Sequence, residues 1–288
     1  MNRRELLRAC LTAMSGISAF PLIGTGAPQT NRKKVLYVTR SVGFEHSVVH
    51  RDGDRLSHSE RILTELGKRA GFDVECTKDG RVFDGHIDQY DAFAFYTCGD
   101  LAKPSNDPGQ PMSAGGKRKL LEAIAAGKGF VGLHSAADTF HSQGSELDPY
   151  VAMLGGEFVA HGAQQNASLI LVPQFPRIRG FGIAEGISFN DEWYALKNFA
   201  KDLHVILVQE TEYMKGDCYR RPNYPCTWAR QHGAGRVFYS SLGHREDIWT
   251  NPFFQTMALG GFDWVLGNAS ADVTPNIDKV TPQANQGE

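Results

Sequence analysis

The sequence predicts an α/β protein with a mostly parallel central sheet and helices on both faces. Short apolar runs alternate with amphipathic helical segments through the first half of the chain, as successive β-α units do. Polar or ionisable residues follow the apolar runs, often behind a glycine, as in Gly43-Phe44-Glu45-His46, Gly99-Asp100 and Gly243-His244. His134 follows Gly129-Phe130-Val131-Gly132-Leu133 directly, and His244 follows Arg236-Val237-Phe238-Tyr239-Ser240-Ser241-Leu242-Gly243. Ligands of open α/β sheets bind outside the carboxyl ends of the strands, so two imidazoles there point to a metal or proton-transfer site.

The elements follow in order. Lys33 to Thr39 reads as a first strand, and Ser41 to Asp54 as a Gly- and His-bearing loop long enough to be functional. Ser57 to Ala70 has helical spacing, with Ile62, Leu63, Leu66 and Ala70 on one face, a Ser57/Glu60 capping box and a stop at Gly71. Phe72 to Cys76 and Tyr90 to Tyr96 are strands; Lys117 to Ala126 is a helix ending at Gly127; Phe130 to Leu133 is a strand. The second half is more mixed. Ala167 to Val172 and Leu203 to Glu210 are strand-like, Thr227 to Gln231 and Arg236 to Ser241 form a hairpin about His232-Gly233-Ala234-Gly235, and Asn251 to Leu266 is a closing helix. Residues 31–267 thus read as a single domain, with 268–288 as a polar flexible tail.

Composition narrows the function. The 288 residues are 41% hydrophobic and carry 30 basic against 32 acidic side chains, a net charge of −2. Nothing in that balance favours nucleic acid or an anionic membrane surface, and a small neutral ligand fits better. Beyond residue 25 no apolar run approaches the ~18 residues of a membrane span. Residues 1–30 read as an export signal and linker: Arg3-Arg4, an apolar stretch from Ala9 to Ile23, then small residues. The twin arginine implies a periplasmic or secreted protein. Cys10 is no lipid-anchor site, because Arg8 lies just before it. Of the remaining cysteines, Cys76 and Cys98 read as buried thiols, whereas Cys218 and Cys226 bracket a Pro-containing loop that a disulfide could staple.

A catalytic divalent-metal site needs imidazole or carboxylate ligands and one open position. His134, His161, Glu192 and His244 can supply such a set from separate segments. Gly132-Leu133-His134-Ser135-Ala136 also sits where α/β hydrolases mount a nucleophile. Here the elbow position holds histidine, and Ser135 falls one residue late for a serine hydrolase.

With these residues in view, the chain resembles the ThuA-like family, named for trehalose utilisation. The similar segments are VLYVTRSVGFEHS, GKGFVGLHSAADTF, LGGEFVAHG, FNDEWY and GRVFYSSLGH, in order across residues 33 to 267. The resemblance implies a flavodoxin-like three-layer sandwich related to class I glutamine amidotransferases, with the amidotransferase cysteine replaced by His134. It maps the family pattern onto His46, His134, His161, Glu192, Tyr194 and His244. It also implies a small-molecule sugar substrate, since members are associated with breakdown of glycosides oxidised to 3-keto sugars. The stretch Leu101 to Gly116 and the Cys218–Cys226 loop depart from the pattern.

The expected chemistry is elimination or hydrolysis of a 3-keto-glycoside, with a divalent metal ion, zinc being the candidate, as Lewis acid. His134, His161, Glu192 and His244 are the expected ligands. His46, Tyr194 and Asp100 are the candidates for base, leaving-group acid and hydroxyl contact. Ser135, Trp193 and Trp249 are the candidates for binding the sugar. The alternatives are a non-catalytic carbohydrate-binding protein and a hydrolase of another ester or amide.

Overall fold

In the computed structural model, which describes residues 32–172, 174–178 and 187–286, the first strand is buried on both faces. Its residues Val35 to Val38 are fully buried, as expected of a central parallel strand. In chain order the elements are β1 (Lys33–Val38), α1 (His58–Ala70), β2 (Phe72–Thr77), β3 (Ala92–Phe95), α2 (Ala114–Ala125), β4 (Gly129–Leu133) and α3 (Pro149–Leu154). They continue with β5 (Glu157–His161), β6 (Gln165–Leu171), β7 (Ile187–Asp191), β8 (Tyr194–Lys197), β9 (His204–Gln209), β10 (Tyr224–His232) and β11 (Gly235–Ser240). Three helices close the chain: α4 (Glu246–Thr250), α5 (Pro252–Val265) and α6 (Ile277–Val280).

The main sheet has nine strands in the order β2-β1-β3-β4-β11-β10-β9-β6-β7. The first five run parallel, and each strand beyond β11 is antiparallel to its neighbour. Side chains alternate across the sheet: Val35 and Tyr37 of β1 enter a core shared with Leu63 of α1 and Phe262 of α5. Leu36 and Val38 enter the opposite core with Leu120 of α2 and Met153 of α3. Two cores on one sheet make the expected three layers. A separate two-stranded sheet, β5 against β8, was not legible in the sequence, nor was β7.

The capping box on α1 is present, and its glutamate does more than cap. Glu60 is fully buried; it accepts from Ser57 N at 2.8 Å, from Thr39 Oγ1 at 2.7 Å and from Nε and Nη2 of Arg51 at 2.7–3.1 Å. Burial raises its pKa, but the bonds from Arg51, Thr39 and Ser57 outweigh that and hold it below the usual glutamate value. One carboxylate thus ties the end of β1, the following loop and α1 together.

The C-terminal stretch corrects the expectation of a loose tail. Asn276 Oδ1 accepts from Val205 N at 2.6 Å and its Nδ2 donates to Val205 O at 3.2 Å. Asn285 brackets the backbone of Phe199 in the same way, at 3.0 and 3.1 Å. Ile277 and Ala284 are buried. The polar composition serves the backbone of the domain rather than solvent. The described residues from Arg32 onward form one compact unit. Cys218 and Cys226 are free thiols, Cys226 fully buried with its Sγ 3.5 Å from Leu207 O, so no staple closes that loop. The export segment expected over residues 1–30 lies outside the described residues, among which no helix is long and apolar enough to cross a membrane.

Replacing Glu60 with Gln leaves the Arg51 charge uncompensated beside a buried site and should cost about 3 kcal/mol. Because the folded-state pKa is depressed, the wild-type contribution is present above the ordinary value of 4.5 and fades as pH falls below it. Denaturant titrations from pH 7 to pH 3 should show a gap between wild type and Glu60→Gln that shrinks with acid.

Candidate metal centre

Five strand ends deliver the site. His46 lies in the loop after β1, His134 follows β4 directly, His244 lies just past β11, Glu192 follows β7, and His161 ends β5. The first three come from the parallel half of the sheet, and Glu192 comes from its far edge. Four strand spacings separate β11 from β7, about 19 Å if the sheet were flat. Yet His244 Nδ1 lies 3.1 Å from Glu192 Oε2, so the antiparallel extension curls back over the carboxyl edge. Asp191 fixes that closure. It is fully buried, and its carboxylate accepts from Gly243 N at 2.8 Å and Arg245 N at 3.3 Å, the residues on either side of His244. Gly243 is itself left-handed (φ 116°), with Trp249 and Phe254 against it, so a side chain there would meet backbone strain and a tight fit.

His134 occupies the strand-to-turn elbow with φ 42°, a conformation an L-residue adopts only under constraint. Its Nδ1 lies 2.6 Å from Ser241 O. A carbonyl only accepts, so Nδ1 carries a proton and Nε2 is the nitrogen turned to the interior, toward Glu192. The backbone O of His134 is held by Tyr239 Oη at 2.8 Å. The rings of His46, His134 and His244 pack edge-on, with centroids 5.0–5.3 Å apart.

One atom from each of His46, His134, Glu192 and His244 lies within 4.8 Å of the others. His46 Nδ1, His134 Nε2 and His244 Nδ1 are buried with no hydrogen-bond partner. Glu192 stands 3.5 Å from His134 Nε2 and 3.1 Å from His244 Nδ1. Burial alone would raise its pKa, but His134 and His244 hold it well below the usual carboxylate range. Burial, reinforced by His134 and His244, pushes His46 down to about 2, so it stays neutral. A neutral His46 and an ionised Glu192 are in the protonation state a metal requires of its ligands. Four donors on a tetrahedral ion lie about 3.4 Å apart, a small contraction from what is seen. The N₃O donor set suits zinc or another first-row transition metal better than calcium or magnesium.

The structure exchanges two expected positions. His46, expected as the base, lies among the potential ligand atoms. His161, expected as a ligand, stands at the rim, its side chain 44% exposed and its Nδ1 3.2 Å from Glu192 Oε1 and 3.0 Å from Gly162 O. His161 pairs in register with Tyr194 across β5 and β8, which puts it beside Glu192. Tyr194 is buried, and its hydroxyl lies 3.5 Å from His46 Nε2. Burial raises its pKa well above that of free tyrosine, so the hydroxyl remains protonated.

Other expected contacts are corrected. Trp193 and Trp249 are buried, their indole N–H groups donating to Gln165 O and Gly243 O at 2.7 and 2.8 Å. They are packing residues and offer no face to a sugar. Ser135 is fully buried, as is its Oγ, so it presents neither a nucleophile nor a sugar contact. Asp100 caps its own turn through Ala102 N at 3.0 Å. His50, four residues beyond His46, turns outward to Glu45 at 2.8 Å. Sequence reasoning passed over Asp191, whose only signal was a carboxylate in an otherwise strand-like FND run.

Fold and site together define an α/β protein with a three-histidine, one-carboxylate cluster at the carboxyl edge of its sheet. The chain belongs to the ThuA family, described as trehalose utilisation, whose profile it matches over residues 34–265. Among curated proteins none matches significantly. The solved structures it resembles include a putative ThuA-like protein from Parabacteroides merdae (16% identity, TM-score 0.63, covering 82% of this chain and 91% of that one). Another is a putative ThuA-like protein from Bacteroides uniformis (16% identity, TM-score 0.59, 81% and 91% covered). At that identity the likeness establishes the class I glutamine amidotransferase-like fold.

Asp191→Ala removes no ligand but frees the His244 loop from β7. It should lower zinc affinity by about 10–100-fold, read by competition with a chromophoric chelator. Unchanged affinity would mean that the loop is held by other contacts.

Proposed function

We propose that this protein is an exported, metal-dependent enzyme that cleaves 3-keto-glycosides or 3-keto-disaccharides by elimination or hydrolysis. The observation that supports it most is the set of buried imidazoles of His46, His134 and His244 gathered with Glu192, one ligand atom of each within 4.8 Å of the others. The sugar is taken from the family's association with trehalose utilisation. A divalent cation held by His46, His134, Glu192 and His244 would polarise a substrate oxygen as a Lewis acid.

The chain's own residues supply the rest. A ketone at C3 of a sugar acidifies the proton on C2. With Nδ1 donating to Gly162 O, His161 keeps Nε2 basic at the half-exposed rim. It takes the C2 proton; the C2–H electron pair becomes the C1–C2 double bond, and the C1–O bond breaks. Water at the open rim protonates the departing oxygen, and a second water can add later. Tyr194 and Ser241 O orient His46 and His134, each fixing which ring nitrogen faces inward.

The test is to incubate purified protein with a panel of 3-keto-disaccharides and follow sugar release. Release should stop on chelation and return with zinc or manganese. His161→Ala should lower kcat by about 10²–10⁴-fold while the protein keeps its metal, whereas His134→Ala should lose both. Protein that carries no stoichiometric metal and is indifferent to chelator would refute the reading. The export proposal has its own check: exchanging Arg3 and Arg4 for Lys should strand the protein in the cytoplasm of the producing cell.

A further inference from the structure

With Trp193 and Trp249 buried, an aromatic that faces solvent beside the histidine cluster is Phe44. It is 63% exposed, and its ring meets His46 edge-on at 4.8 Å. Its neighbours Gly43 and Glu45 line a cavity of about 460 Å3, together with Ser41, Pro104, Ser105, Asn106 and Asp107. The cavity falls within the range of small-molecule sites. Its outer wall belongs to the 101–116 stretch that departs from the family pattern.

That wall is fastened from beneath. Arg40, almost fully buried, donates to the carbonyls of Gly109 (3.1 Å) and of Pro108 and Lys103 (3.4 Å each). Lys78, also buried, meets Asp107 at 2.8 Å and Glu45 at 3.1 Å. Asp107 accepts from Ser41 N at 2.6 Å as well. The carboxylates of the lining are thus already matched to a cation, which leaves no net charge to attract an ion. Polar capacity is left over, because the hydroxyls of Ser41 and Ser105 are buried with no partner. Ser41 is 4% exposed and lines the cavity. Free hydroxyls beside neutralised carboxylates are the recognition chemistry of a neutral polyhydroxylated ring, and Phe44, between two lining residues in the chain, offers an exposed aromatic next to them.

We infer that this cavity is a second sugar subsite, holding the ring attached through the bond to be cleaved, with Phe44 as its platform and Ser41, Ser105 and Asn106 as hydroxyl partners. The inference rests on the sugar reading of the histidine cluster and makes the 101–116 stretch the determinant of substrate length. It commits the enzyme to disaccharides rather than to glycosides of small alcohols.

The test compares binding of trehalose and of methyl α-glucoside by calorimetry, on wild type, Phe44→Ala and Asn106→Trp. Asn106 is exposed, so the Trp fills the cavity without disturbing a core. Wild type should prefer the disaccharide by about tenfold, and each variant should bring that ratio close to one. Zinc content, measured on each variant, shows that the fold and the cluster are intact. Equal binding of the two sugars by wild type, no binding of either, or a preference that survives both substitutions would overturn the subsite. Loss of the metal reading would show separately, as absent stoichiometric metal in wild type, whatever the sugars do.

Discussion

Everything at the carboxyl edge of this sheet depends on three imidazole nitrogens that have been taken out of water without a hydrogen bond, two of them set against a single carboxylate. A buried polar atom left unsatisfied costs about 1–3 kcal/mol, and His46, His134 and His244 each carry one. A chain does not retain that cost by accident of packing when a hydrocarbon side chain would fill the same space. The nitrogens of His134 and His244 lie 3.5 and 3.1 Å from Glu192, whose pKa these two residues depress, and the other nitrogen of His134 is bound to a backbone carbonyl. Each group has been desolvated and turned toward one small space. Those are the conditions for holding a cation.

The elbow after β4 shows how the fold turns this into chemistry. The same strand-to-helix turn that exposes a nucleophile in α/β hydrolases holds His134 here at φ 42°. Strain of that kind costs about 1–3 kcal/mol and persists only where surrounding contacts over-determine it. Here they do, through Ser241 O on the ring and Tyr239 Oη on the backbone. An imidazole in that position is a poor acyl acceptor and a good ligand, and with Ser135 buried behind it no hydroxyl takes over the older role. The architecture is kept while the reaction class it can host is changed.

Much of the parallel half was legible because its signals are local. Apolar runs and the Ser57/Glu60 box are decided within a few residues, and the strand ends carrying His134 and His244 could be read from them. What was missed is non-local. The β5–β8 ribbon pairs segments more than thirty residues apart, and the pairing that brings His161 to Glu192 leaves no trace in either segment alone. The exchange of His46 for His161 follows from that: sequence order ranks residues by type, whereas membership of the cluster is decided by how far the sheet curls. The two tryptophans were misjudged for a related reason. An indole beside a polar motif reads as a sugar face until its N–H is found bonded to a backbone carbonyl of the same motif's frame. The C-terminal asparagines likewise read as solvated tail, because a side chain that imitates a neighbouring strand cannot be told by composition from one that faces water.

The pair Asp191-Glu192 brings these strands of argument together. Two adjacent carboxylates at the end of β7 point to opposite sides, as successive residues of an extended chain must. Asp191 turns in, is fully buried and meets backbone N–H groups; burial dominates and its pKa rises. Glu192 turns toward the imidazoles, and their contact outweighs burial, so its pKa falls. Neighbours of almost identical chemistry are thereby driven in opposite directions by what they face. Asp191 uses its oxygens to bolt the His244 loop to the far edge of the sheet, and Glu192 uses its own to complete the cluster that the loop delivers. The closure of the sheet and the composition of the site are therefore one event, fixed by two consecutive residues.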